Sequence, residues 1–213
     1  MKPLVFVLAF SVITACGQTQ PVNIPVKTSD NPGPNEAVAD FAEGCFWHTE
    51  IVFQSLVGVR DAVSGYCGGT DTHPDYEKVC TGTTGHAESV QVYYDPSKIS
   101  YATLVKAFFA SMDPTELDRQ GPDEGTQYRS IAFYRNPQEK KIIEDEIARL
   151  TAQKKYSRKI VTEVQPFKAF YPAETYHQEY IKNHPENPYV QHVSIPDWLQ
   201  FKQANKGQFE FKS

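Results

Sequence analysis

An α+β two-layer sandwich, its mixed sheet covered mainly on one face, is the fold this sequence predicts. Three observations carry that reading. Segments with the two-residue period of a strand alternate with segments of helical period from residue 38 to residue 164. The chain has 213 residues, 40% of them hydrophobic and 22% charged, which suits one folded core and excludes a disordered or polytopic chain. No internal repeat and no low-complexity block interrupts the stretch from Ala37 to the end.

The amino terminus reads as a targeting segment. Met1-Lys2 supplies a short positive end, and Leu4 to Ala15 is an apolar run, too short to span a bilayer but the length of a secretory h-region. The run ends in Ile13-Thr14-Ala15-Cys16, which resembles the lipobox of bacterial lipoproteins. The resemblance implies cleavage before Cys16, lipidation of its thiol, and a place in the cell envelope or periplasm. Residues 16–36, rich in Pro, Asn, Gln, Ser and Thr, are expected to be a flexible tether, leaving 37–213 as a single catalytic domain.

Within that domain Val38–Ala42 reads as a strand, and Thr49–Leu56 puts Ile51, Val52, Phe53 and Leu56 on a helix. Val57–Tyr66 reads as a second strand, closed by Gly68-Gly69. Ser89–Tyr94 alternates Val90, Val92 and Tyr94 with Gln91 and Tyr93, the pattern of a half-exposed strand ended by Asp95-Pro96. A helix over Tyr101–Met112, a strand over Ile131–Tyr134 and an amphipathic helix over Gln138–Gln153 follow, the last with Ile142, Ile143, Ile147 and Leu150 as its apolar stripe. Ile160–Val164 is expected as the last strand, and the proline-bearing stretch from Pro185 as a surface wrap.

The chemistry concentrates at a few junctions. Gly44-Cys45-Phe46-Trp47 lies between a strand and a helix. A cysteine at a helix start faces unpaired N–H groups and the positive end of the dipole, so its pKa is expected to fall, as suits a nucleophile. Glu88 opens a strand that is apolar on one face; in a dry pocket its pKa would rise and make it a general acid. Tyr66, at a glycine-rich strand end, and Asp123 and Tyr128, in a polar loop, could aim hydrogen bonds at a ligand. If Cys16 is modified, Cys45, Cys67 and Cys80 remain, an odd number for an oxidising compartment and so no pure disulfide framework.

Gly44-Cys45-Phe46-Trp47, Gly65-Tyr66 with Gly68-Gly69, Thr84-Gly85-His86-Ala87-Glu88 and Gly125-Thr126-Gln127-Tyr128-Arg129-Ser130 occur in the order of one family, with Tyr176-His177-Gln178-Glu179-Tyr180 behind them. The chain resembles the A-type peptide methionine sulfoxide reductases from about Val38 to Tyr180. The resemblance implies an α+β two-layer sandwich with a ferredoxin-like core, and reduction of the S epimer of methionine sulfoxide, free or in proteins, without a cofactor. By it, Cys45 is the nucleophile and Glu88 the acid. Tyr66 and Tyr128 bind the sulfoxide oxygen, Asp123 belongs to the same site, and Phe46 and Trp47 hold the substrate's ε-methyl group. The sequence departs from many members in having no cysteine after Cys80. Cys67, beside Tyr66, is therefore the expected resolving cysteine, with an external thiol or Cys80 as alternatives and a thioredoxin-type protein as reductant.

A net charge of −5 gives no basic surface for nucleic acid, and the membrane is expected to be met only through the lipid. A monomer is expected. A cysteine protease using His177 lacks the C-G-[SA]-C signature. A metal centre lacks C-x₂₋₄-C or H-x₃-H spacing.

Overall fold

The computed structural model describes residues 32–212; the targeting segment 1–15, Cys16 and most of the 16–36 tether lie outside the described residues. Six strands form one sheet. In chain order the elements are β1 (Ala37–Glu43), α1 (Phe46–Gln54), β2 (Val59–Cys67), α2 (Tyr76–Cys80), β3 (Ala87–Tyr94), α3 (Tyr101–Ala110), the two-residue strands β4 (Arg119–Gln120) and β5 (Asp123–Glu124), β6 (Ser130–Tyr134), α4 (Pro137–Ala152), β7 (Glu163–Pro166), β8 (Phe170–Pro172), α5 (Tyr180–Asn183) and α6 (Ile195–Ala204). The large sheet runs β7-β6-β1-β3-β2-β8. Every neighbouring pair is antiparallel except β6 and β7, so the sheet is mixed. Its centre, β6-β1-β3-β2 with α1 and α3 as crossovers, has the expected ferredoxin-like order.

Strand periodicity decides which residues meet the helices. Ala39 and Phe41 of β1, Ala62 and Tyr66 of β2, and Val90, Val92 and Tyr94 of β3 join Val52, Phe53, Leu104 and Phe108 in the main core. Phe41 stacks between Phe53 and Phe108, with ring centroids 5.0 Å and 5.1 Å away. The reverse face holds a smaller cluster, Ala42, Cys67, Ala87, Ile131 and Phe133, under Phe167 and Phe170. The parity that buries Val90 also turns Glu88 to the helix face, opposite Tyr66 in the β2–β3 register. Cys67, one residue on, points to the other side.

Several elements differ from the sequence reading. The last strand of the sheet is β8, and the expected Ile160–Val164 strand lies three residues later, at Glu163–Pro166. The C-terminal stretch is helical, with a π-turn over Val190–Ser194 running into α6, which packs its buried Phe201 into the main core and closes on Phe209 and Phe211. At the other end, Gly33–Glu36 forms a turn pinned by the Arg60–Glu36 ion pair, so the expected tether is ordered before it reaches β1.

Candidate active site

Gly44 has φ +98°, and a Cβ there would stand 2.6 Å from Gln120 Cβ, so the sharp turn between β1 and α1 requires glycine. The turn makes Cys45 the N-cap residue and starts the helix at Phe46, three residues before the start expected from hydrophobic spacing. Its carbonyl accepts from the His48 and Thr49 N–H groups, and its sulfur faces the amides of Trp47 and His48, which favour a thiolate. Burial outweighs them. The thiol pKa is pushed well up, first by desolvation and then by the Glu88 and Asp123 carboxylates. The expected depression is therefore absent in the free protein: one helix end does not offset enclosure beside two acids.

Glu88, 2% exposed, accepts from Phe46 N–H at 3.0 Å, and burial raises its pKa to about 8 against the smaller opposing effect of that hydrogen bond. It is neutral at pH 7 for the most part, which removes its repulsion of a Cys45 thiolate.

The tyrosines divide in a way the motifs did not reveal. Tyr66 is fully buried, with its ring 6.0 Å from Phe46, and it donates its hydroxyl to Glu174 at 2.8 Å, a bond that ties β2 to the loop after β8. Tyr76 faces the same space with its hydroxyl free of Glu174. Its ring lies 6.4 Å from Phe46 and its hydroxyl feels both Glu88 and Cys45, as does that of Tyr128. All three phenols are held neutral by burial. Tyr76 is delivered by a stapled loop. His86 Nδ1 accepts from Gly69 N–H at 3.1 Å, so Nε2 carries the proton and donates to the Asp71 carbonyl at 2.8 Å. Asp75 then caps α2, and Tyr76 N–H donates to Glu174. A tyrosine just inside a D-x-x-K-capped turn was the available signal.

Phe46 is buried and Trp47 half-buried. Trp47 Nε1 donates to His177 Nδ1 at 3.1 Å, and its indole stacks on Tyr180 at 3.6 Å. His177 thus orients Trp47 and makes no hydrogen bond with Cys45; burial lowers its pKa to about 4. Gln178 holds this segment by accepting from Ser64 N–H and donating to the Ser64 and Ala173 carbonyls. Glu50 accepts from Glu179 N–H, fixing the left-handed Glu179 that aims Tyr180.

Asp123 accepts from Tyr189 Oη, and Tyr189, absent from the sequence reading, lines one cavity with Cys45. Cys67 is not brought to the site. Its fully buried thiol donates to the Ala169 carbonyl at 3.0 Å on the reverse face of the sheet, because adjacent residues of a strand point to opposite sides. Pairing with Cys45 would require the end of β2 to turn over. Cys80 is exposed on α2, beside the Tyr76 hydroxyl.

A reactive thiol, a neutral buried carboxyl and two phenols around one space, walled by Phe46 and Trp47, suit transfer of a hard-to-remove oxygen to sulfur. The family model described as peptide methionine sulfoxide reductase matches residues 37–209. The chain is 47% identical over 171 residues to "Peptide methionine sulfoxide reductase MsrA" of Thermus thermophilus, covering 80% of this chain and 96% of that one. The reduced form of Mxr1 from Saccharomyces cerevisiae superposes with a TM-score of 0.69 at 36% identity, over 74% of this chain and 91% of that one. The same yeast protein in complex with Trx2 matches with a TM-score of 0.51 at 28% identity, over 72% of this chain and 91% of that one. With its fold, its motifs in order and its near-complete match to these relatives, the chain belongs to the peptide methionine sulfoxide reductase family.

Proposed function

We propose that Cys45 attacks the sulfur of methionine S-sulfoxide, free or in oxidised proteins, while Glu88 delivers a proton to the sulfoxide oxygen. Tyr76 and Tyr128 donate hydrogen bonds to that oxygen, and Phe46 and Trp47 enclose the methyl group. The observation that carries this is the buried, neutral Glu88 facing the same space as Cys45. A sulfoxide oxygen leaves only once protonated or strongly hydrogen-bonded, so an acid kept protonated at neutral pH is the group the reaction lacks in water. The sulfur–oxygen bond breaks, methionine departs, and Cys45 is left as a sulfenic acid.

With Cys67 on the reverse face, the sulfenic acid is resolved by an external thiol: the thiol sulfur displaces water, and a second thiol releases Cys45. A thioredoxin-type dithiol is the favoured reductant, supported by the yeast relative in complex with Trx2. Reduction of dabsyl-methionine sulfoxide with dithiothreitol tests the activity. The parent should release methionine, and Cys45→Ser should release none; normal turnover by Cys45→Ser would overturn the mechanism.

The chain is further proposed to act as a monomer in the cell envelope, anchored by lipid on Cys16. The Ile13-Thr14-Ala15-Cys16 sequence behind an apolar run supports this. Incorporation of labelled palmitate by the parent but not by Cys16→Ala is the expected result, and equal labelling would refute it.

A further inference from the structure

Glu88 cannot both deliver a proton to the sulfoxide and hold the one Cys45 must lose. At neutral pH it already carries its proton. The thiol, kept in its S–H form by burial, needs a different acceptor before it can attack. Cys45 has a second side. A cavity of about 60 Å³ opens there, lined by Cys45, His48, Asp123, Tyr189, Glu43 and Asp197 among others, while Glu88, Tyr76 and Tyr128 lie outside its lining. Within it Tyr189 lines the space beside Cys45, which acts on its phenol, and donates its own proton to Asp123 Oδ2. His48, the second residue of α1 after Phe46, lines the same cavity as Asp123, with a buried Nδ1 that has no hydrogen-bond partner.

We propose that Tyr189 and Asp123 take the proton from Cys45, with His48 as a positioning residue in the wall of the same cavity. The inference rests on Cys45 as the nucleophile. As the sulfur attacks, its proton passes to Tyr189 Oη while the Tyr189 proton moves to Asp123 Oδ2, leaving a thiolate, a neutral phenol and a protonated carboxyl. Glu88 gives its own proton to the oxygen that ends on Cys45. One proton has then been gained by Asp123 and one lost by Glu88, and exchange with water restores both. Tyr189 is suited to relay rather than to ionise, since burial and its two partners hold the phenol far above neutral pH. Burial raises Asp123, against the opposing effects of the Tyr189 hydrogen bond and of nearby His48, whose own pKa burial lowers. The remaining groups facing this network are Asp197 of α6 and the carbonyls of Ser111 and Ser194 around His48, and Glu43 of β1 in the cavity wall, where one carboxylate oxygen accepts from Ser111. On the substrate side Glu88, Tyr76 and Tyr128 face Cys45.

Two hypotheses about Asp123 predict opposite signs. Its charge alone raises the Cys45 pKa, so as a bystander Asp123→Asn should speed the first step. As acceptor, its loss should slow it. The full chain is mixed with saturating methionine sulfoxide, and methionine released in one turnover is followed from about pH 6 to about pH 9. Tyr189→Phe and Asp123→Asn are each expected to run about a hundredfold below the parent at pH 6. For Tyr189→Phe the gap should narrow as pH rises, because hydroxide replaces the missing acceptor; Asp123→Asn also lowers the Glu88 pKa by removing the Asp123 charge, so it is compared with the parent at pH 6, where Glu88 stays protonated in the parent. His48→Asn should show a smaller deficit with the same trend. A faster Asp123→Asn at pH 6, or a ratio of parent to Tyr189→Phe that is constant across pH, overturns the proposal. Methionine release by Cys45→Ser would instead overturn the nucleophile itself, a separate result.

Discussion

Glu88→Gln separates proton delivery from binding, and the structure sets two magnitudes for it. The amide is close in shape to the carboxyl and its oxygen can still accept from Phe46 N–H, now held at 3.0 Å. What it cannot do is transfer a proton. With a pKa near 8, Glu88 is about nine-tenths protonated at pH 7, whereas at the ordinary value of 4.5 roughly 0.3% would be. The parent's first step should therefore fall as pH passes through about 8. The variant should run about a hundredfold slower at neutral pH, with KM little changed and with that alkaline fall gone. The same shift acts on stability. Native Glu88 binds its proton more tightly than unfolded Glu88, so its contribution is complete below 4.5 and is lost as pH rises through about 8. Gln carries no such loss. Relative to the parent, the variant should gain about 3 kcal/mol in urea denaturation between pH 5 and pH 8. Rapid-quench methionine release and denaturation curves at the two pH values check both. An unchanged first-step profile, or a stability difference flat with pH, would refute the role given to Glu88.

Tyr76→Phe should slow single-turnover methionine release by roughly tenfold or more, while Tyr66→Phe leaves it near the parent rate and lowers stability by about 1 kcal/mol through the lost Glu174 hydrogen bond; the reverse ranking would restore Tyr66 to the site. Cys67→Ser should keep recycling by thioredoxin-type dithiols, with peptide mapping after one turnover finding no Cys45–Cys67 disulfide; detection of that disulfide would show that the end of β2 rearranges. His177→Ala removes the acceptor of Trp47 Nε1 and should raise KM about tenfold with a smaller change in kcat; an unchanged KM would remove Trp47 orientation from substrate binding. Gly44→Ala, forced to a positive φ and into Gln120, should cost several kcal/mol and lower activity even where the fold survives; parent-like melting would show that the turn tolerates a side chain.

Local pattern carries some features of this molecule, and pattern at a distance carries none. The alternation of Val90, Val92 and Tyr94 fixes which face of β3 is buried, and by the same period it turns Glu88 to the helices. Cys45 at a strand-to-helix junction was legible for the same reason, since Gly44 and the apolar flanks are neighbours in sequence. Even so, hydrophobic spacing began α1 three residues late, because Phe46, Trp47 and His48 face a site rather than a repeating core stripe. The C-terminal helix was missed for a related reason: Pro196 at its first turn is compatible with a helix, but the stretch around it lacks a stripe, and only docking of Phe201 on the main core makes it pay. Tertiary structure alone decided the rest. Tyr66 and Tyr76 are both tyrosines beside glycine-rich or polar loops, and only Glu174, about a hundred residues later in the chain, determines which hydroxyl is occupied. Cys67 looks close to the site in sequence, yet a one-residue step along a strand is a change of face. The Cys45 pKa depends on how far enclosure by distant residues outweighs a nearby helix end, which no local pattern encodes. Tyr189 comes beside Cys45 and Asp123 only through the chain's return over the sheet, so the sequence could name Cys45 and Asp123 but not the tyrosine between them.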